Sequence, residues 1–154
     1  MTEEHSTFDP RDPAFETRVR ESFTKQGLLR TLSAFLESVA PGMEIALSPS
    51  SAVSQQHGFV HGGAIAAIAD SAAGYAALSL MPPRIGVLTT EFKINLLAPA
   101  TGERIVARGR VIKAGRTLTL AQTEVFSQSG GEEKLVAVLT STLMAIEGRE
   151  GVSD

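Results

Sequence analysis

Cysteine is absent from the 154 residues, which excludes disulfide staples, thiolate zinc sites, cysteine nucleophiles and thiol redox chemistry. Excess positive charge is absent too: 14 Lys and Arg stand against 17 Asp and Glu, for a formal net charge of -3. So mildly acidic a chain has no basic field with which to hold nucleic acid. The N-terminal MTEEHSTFDPRDP is polar and acidic, unlike a secretory signal, and the expectation is a cytoplasmic protein. No apolar run is long enough to span a membrane, because Asp70, Ser71, Gly74 and Tyr75 interrupt the one candidate. What the chain does have is 43% hydrophobic residues and a length suited to one core. Charge is nearly missing from its central stretch, where one carboxylate stands among alanines.

Residues 1–13 carry two prolines and several acids around Phe8, the pattern of a loosely docked tail. Phe15, Val19 and Phe23 then recur at four-residue spacing between charged neighbours, which predicts an amphipathic helix ended by Gly27. Residues 1–30 thus form an N-terminal tail and helix. The stretch from Leu29 to Val39 fits a helix or a strand. Pro41-Gly42 signals a turn, and Met43, Ile45 and Leu47 alternate with smaller or polar residues as a half-buried strand. Residues 49–60 read as a polar loop.

HGGAIAAIADSAAGYAALSLM, residues 61–81, is opened by two glycines, filled with alanine and closed by Pro82-Pro83. Alanine favours helix and the proline pair cannot continue one, so a buried helix is predicted from Ala64 to Met81. Four strands follow, Gly86–Leu97, Glu103–Lys113, Thr117–Phe126 and Leu135–Ile146, with short KAGR and SQSGGEE connections that argue antiparallel hairpins. The economical packing is α+β: a curved antiparallel sheet of about six strands around the central helix, in one domain over residues 31–148, with 149–154 as a tail.

Several residues could carry chemistry. Asp70 lies in the apolar helix, where desolvation is costly and raises a carboxyl pKa toward that of a neutral-pH base or nucleophile. The alternative is an Asp facing solvent or a neighbouring subunit. Gly62 and Gly63 open the helix, where unpaired backbone N–H groups can polarise a carbonyl oxygen, or simply make a tight turn. His57 and His61 stand four apart, a metal-binding spacing only on a helix; Gly58 points to a loop and His61 to a residue shaping the helix entry. Gln55, Gln56 and Thr89 are uncharged groups able to orient a water or a carbonyl, or else surface residues. Arg108, Arg110, Lys113 and Arg116 gather at the KAGR turn, either a phosphate-binding spot or a solvated hairpin end.

QQHGFVHGGAIAAIADSAAGYAA, VLTTEFKINLLAPA and GRVIKAGRTLTLAQTEVF, in this order and spacing, resemble the hotdog-fold acyl-CoA thioesterases of the phenylacetic-acid-degradation (PaaI-like) type over roughly residues 30–147. The resemblance implies the hotdog sheet and helix and makes Ser33–Val39 the first strand. It implies hydrolysis of an aryl-, short- or medium-chain acyl-CoA without cofactor or metal. Asp70 would act as general base or nucleophile, and the Gly62 N–H, with Gly63 beside it, would polarise the thioester carbonyl. His61 would brace the loop and Thr89 would hold the attacking water. Gln55 or Gln56 would replace an Asn common in relatives, and Arg110, Lys113 and Arg116 would meet the CoA phosphates. It further implies a homodimer joined edge to edge, and a homotetramer of such dimers, with each site shared between two subunits. Two other readings are a non-catalytic acyl-CoA-binding or regulatory hotdog, against which Asp70 argues, and a hotdog hydratase, which the spacing from HGG to Asp70 fits less well.

Overall fold

The computed structural model describes residues 8–40 and 42–152. These form α1 (Phe15–Thr24), α2 (Gly27–Thr31), β1 (Phe35–Ala40), β2 (Gly42–Leu47), a single 3-10 turn (Ser51–Val53), α3 (Gly62–Leu78), β3 (Gly86–Leu96), β4 (Arg104–Ala114), β5 (Leu118–Ser129) and β6 (Glu132–Ile146). The strands make one antiparallel sheet in the order β1-β2-β4-β5-β6-β3. Bulges near Leu36, Thr89, Val111 and Val125 bend it around α3, the hotdog arrangement expected from the sequence. Among the described residues, no helix is long and apolar enough to cross a membrane.

Small side chains let helix and sheet approach closely. A Cβ on Gly109 of β4 would lie 2.4 Å from the Ala72 carbonyl oxygen, so only glycine fits beneath the helix there. Thr123 of β5 donates its hydroxyl to the Ala69 carbonyl at 2.9 Å. The helix ends at Leu78 rather than Met81. The amides of Leu80 and Met81 bond three residues back, to Ala77 and Leu78, which tightens the last turn before Pro82.

Gly27 opens α2 instead of closing α1; the first helix has already ended at Thr24. Ser33, expected in the first strand, is a left-handed turn residue with φ +53° after α2. Of the expected N-terminal tail, residues 1–7 lie outside the described residues, whereas Asp12 is buried and pairs with Arg18 at 3.1 Å. Arg18 also donates to the carbonyls of Leu78 (2.8 Å), Pro82 (2.9 Å) and Met81 (3.2 Å), satisfying the orphan end of α3. With Val19 fully buried beside it, worth about 2 kcal/mol, α1 is docked on the core. Of the C-terminal tail, 153–154 lie outside the described residues, and Val152 sits against Gly86 at the start of β3.

The β5–β6 strands run on to a two-residue turn, Gly130-Gly131, with φ +59° and +83°, the pair of positive values a tight hairpin requires. At the far side of the sheet β3 is an eleven-residue edge with no partner on its outer side among the described residues. Phe92 and Leu96 on it are 48% and 55% exposed. So long and apolar an edge calls for cover.

Candidate active site

Asp70 projects from the middle of α3 and accepts a 2.8 Å hydrogen bond from the Thr89 hydroxyl on β3. Both line a cavity of about 440 Å³ together with Ser71, Gly74, Val87 and Leu143. Burial pushes the Asp70 carboxyl above the usual carboxylate range, and the Thr89 hydroxyl pulls it part of the way back. A carboxylate so placed is a stronger proton acceptor than one free in water. Replacing Thr89 with Val removes the pull while keeping a β-branched strand residue. The acid limb of the pH–rate profile is then expected to move to higher pH, which a buffer series measures directly; an unmoved limb would mean that Asp70 does not govern it.

His61 is the N-cap of α3, its Nδ1 accepting from the Gly63 N–H at 2.8 Å. That bond makes Nδ1 the unprotonated nitrogen and uses the Gly63 amide. Gly62, the first helical residue, lies against β3: a Cβ there would come within 2.9 Å of Leu96 Cδ1. Its N–H is the amide at the helix start that an oxygen can approach. Gln55 is folded into its loop, its Oε1 accepting from the His57 N–H, while Gln56 is exposed with its amide 3.4 Å from His57 Nε2. His57 stands in this turn and His61 at the helix cap, so the two imidazoles share no helical face. Among the described residues no three His, Cys, Asp or Glu gather as a metal site.

The basic residues divide. Arg108, counted with the cluster, is a structural cation: it bonds Glu44 at 2.9 Å and Glu133 at 2.6 and 2.8 Å and lies 4.8 Å over the Phe126 ring. It holds the Glu133 carboxyl down to about 2. These partners come from β2 and β6, out of reach of local sequence reasoning. Arg110 is exposed and bonds Gln122; Lys113 is exposed near the end of β4. Arg116 lines a second cavity of about 410 Å³ with Arg11, Leu80 and Met81, at the C-terminal end of α3.

Sequence reasoning missed Ser22, Lys25, Gln26 and Tyr75, which close the Asp70 cavity on its far side. Tyr75, the chain's single tyrosine, was the available signal.

Within one chain the parts do not meet. Gly62 and Asp70 are eight residues apart on α3, about 12 Å at the helical rise. A reacting carbonyl needs both an oxyanion donor and the catalytic group within about 3 Å. Their strand neighbours, Leu96 and Thr89, are likewise separated along β3.

The thioesterase superfamily profile matches residues 57–134, half of the chain. A thioesterase family protein from Silicibacter pomeroyi is 44% identical over 87% of this chain and 99% of its own, with a TM-score of 0.85. A thioesterase from Haemophilus influenzae shares the fold at 21% identity, over 84% of this chain and 90% of its own, with a TM-score of 0.77. The PaaI protein of the Escherichia coli phenylacetic acid degradation operon does so at 18% identity, over 87% and 97%, with a TM-score of 0.76. No curated protein matched the sequence.

Proposed function

The chain belongs to the thioesterase superfamily, and from that premise we propose that it hydrolyses acyl-CoA thioesters at a site shared by two copies of itself. The observation that carries this reading is Asp70, half-buried, raised in pKa and bonded to Thr89 in a cavity beside the unpaired β3 edge. The carbonyl oxygen of the substrate receives the Gly62 N–H of one chain at its helix N-terminus. Asp70 of the other chain takes a proton from a water aligned by Thr89, and the water oxygen attacks the carbonyl carbon. Collapse of the tetrahedral intermediate breaks the C–S bond, and the CoA thiolate leaves and takes up the proton held by Asp70. Direct attack by the Asp70 carboxylate, followed by hydrolysis of the anhydride, uses the same placement. Gln55, held by its loop, orients the carbonyl or water, with Gln56 beside it. His61 keeps the helix start in shape, and Gly63, where a Cβ would meet His61 Nδ1 at 3.0 Å, lets the imidazole pack there. Arg110, Lys113 and Arg116 meet the CoA phosphates. The direct test is thiol release from a panel of acyl-CoAs; binding without release would favour the non-catalytic reading.

The exposed β3 edge supports one way for two copies to meet. Antiparallel self-pairing centred on Phe92 sets Phe92 opposite Phe92 and Glu91 opposite Lys93 of the second copy, whereas centring on Lys93 would oppose two like charges. With the bulge at Thr89, the Phe92 register carries Leu96, and the Gly62 that touches it, to the Val87–Thr89 end of the other chain. That is where Asp70 sits. Because the chain has no cysteine, Phe92→Cys offers a single crosslinking site. Mild oxidation is expected to give a species of twice the mass on a non-reducing gel, and more of it than Lys93→Cys gives. Preferential crosslinking of Lys93→Cys would overturn this register. On the outer sheet face, the exposed neighbours Leu88, Met144 and Leu118 supply a second contact, by which dimers assemble into a tetramer.

A further inference from the structure

Beyond Asp70 the cavity continues past Gly74 to Tyr75, and its far wall comes from the corner between α1 and α2 rather than from the sheet. Gly74 presents no side chain, and a Cβ built there meets nothing nearer than Leu143 Cδ2 at 3.8 Å, so the passage is open at that point. Tyr75 is 4% exposed. Its hydroxyl accepts from Gln26 Nε2 at 2.8 Å and lies 3.2 Å from Ser22 Oγ, and its ring stands 6.1 Å from that of Phe23. A buried phenol with hydrogen-bond partners on a separate helix is fixed in one place. The helix that supplies Ser22 is in turn tied to the end of α3 by Arg18.

We propose that the α1–α2 corner sets the length of acyl group the enzyme accepts, with Tyr75 as the stop and Ser22 and Gln26 as the residues that position it. The proposal rests on Asp70 being the carboxylate at which the thioester is cleaved. Along the helix Gly74 lies about 6 Å and Tyr75 about 7.5 Å from Asp70. A zigzag chain with C–C bonds of about 1.5 Å covers that span in about six carbons, and one aromatic ring fills it equally. Single-ring and short acyl groups therefore fit, and long fatty acyl chains meet the Tyr75 ring.

The test is kcat/KM for straight-chain substrates from acetyl- to palmitoyl-CoA. For the wild-type protein the value is expected to fall about tenfold or more between hexanoyl- and decanoyl-CoA. Tyr75→Ala moves that fall to longer chains, and the double variant Ser22→Ala, Gln26→Leu, which releases the ring without removing it, moves it less in the same direction. Gly74→Ala adds a methyl to the passage and moves the fall to shorter chains. Shifts of opposite sign are not produced by general loosening of the fold. Should Tyr75→Ala not fold, Gly74→Ala and the double variant decide the matter. Length profiles that superimpose on the wild type would overturn the stop while leaving the activity intact. Failure to hydrolyse any member of the series, and a single-ring aryl acyl-CoA run beside it, would overturn the activity on which the stop rests.

Discussion

Asp70→Asn is expected to lower kcat by about two to four orders of magnitude, the scale of a lost general base or more. Asparagine keeps the size of the side chain and an oxygen for the Thr89 hydroxyl, so the cavity is preserved while the proton acceptor is lost. Stability should move the other way or not at all. Burial raises the folded-state pKa of Asp70, so the stability this group contributes is present below the usual carboxylate range and is lost as pH rises through the raised value. Above that raised value the wild type carries a half-buried charge that the variant does not. The melting temperature of Asp70→Asn at pH about 8 is therefore expected to equal or exceed that of wild type, the usual trade between function and stability. Near-wild-type turnover would exclude Asp70 as the catalytic carboxylate.

The second large effect is expected at Gly62, from a backbone atom. Gly62 is the first residue of α3, the helical position proline tolerates best, and His61 before it has φ -62° and ψ 136°, values compatible with a following proline. Gly62→Pro therefore removes one N–H while leaving the helix in place. Loss of an oxyanion donor of this kind costs about two to three orders of magnitude in kcat. Crowding is a separate matter, since any Cβ at this position meets Leu96 Cδ1 at 2.9 Å and that methyl must shift. Gly62→Ala introduces the same crowding and keeps the N–H, so it should retain far more activity than Gly62→Pro. Equal losses in the two variants would assign the effect to packing and remove Gly62 from the oxyanion role.

How much of this was legible beforehand follows from the range of the interactions involved. The alanine-rich helix, its proline stop and the alternating strands are local patterns, and they appear within a few residues of where the sequence places them. Asp70 stood out because its surroundings in sequence are uncharged, and those neighbours also surround it in space. The errors lie where a distant partner decides. Gly27 looked like a helix stop, yet the chain turns at Lys25 and Gln26 and glycine opens α2, because the corner is shaped by Gln26 reaching Tyr75. Arg108 looked like one cation among four until Glu44 and Glu133 arrived from other strands. The far wall of the cavity was invisible for the same reason: Ser22 and Gln26 lie some fifty residues from Tyr75 in sequence. Nothing in a local reading joins an amphipathic helix at the N-terminus to the middle of a buried one.

The central claim is that one chain supplies Asp70 and another supplies Gly62, and subunit complementation tests it most directly. Asp70→Asn and Gly62→Pro chains are each expected to be nearly inactive alone. Mixed in equal amounts, unfolded and refolded together, they should pair at random, so that about half of the dimers contain one chain of each kind. Each such dimer holds one intact site, built from the Asp70 of the Gly62→Pro chain and the Gly62 of the Asp70→Asn chain. Thiol release should then recover to about a quarter of the wild-type rate. If the mixture stays as inactive as its components while size measurements show mixed dimers, the site lies within a single chain and the shared-site account is wrong.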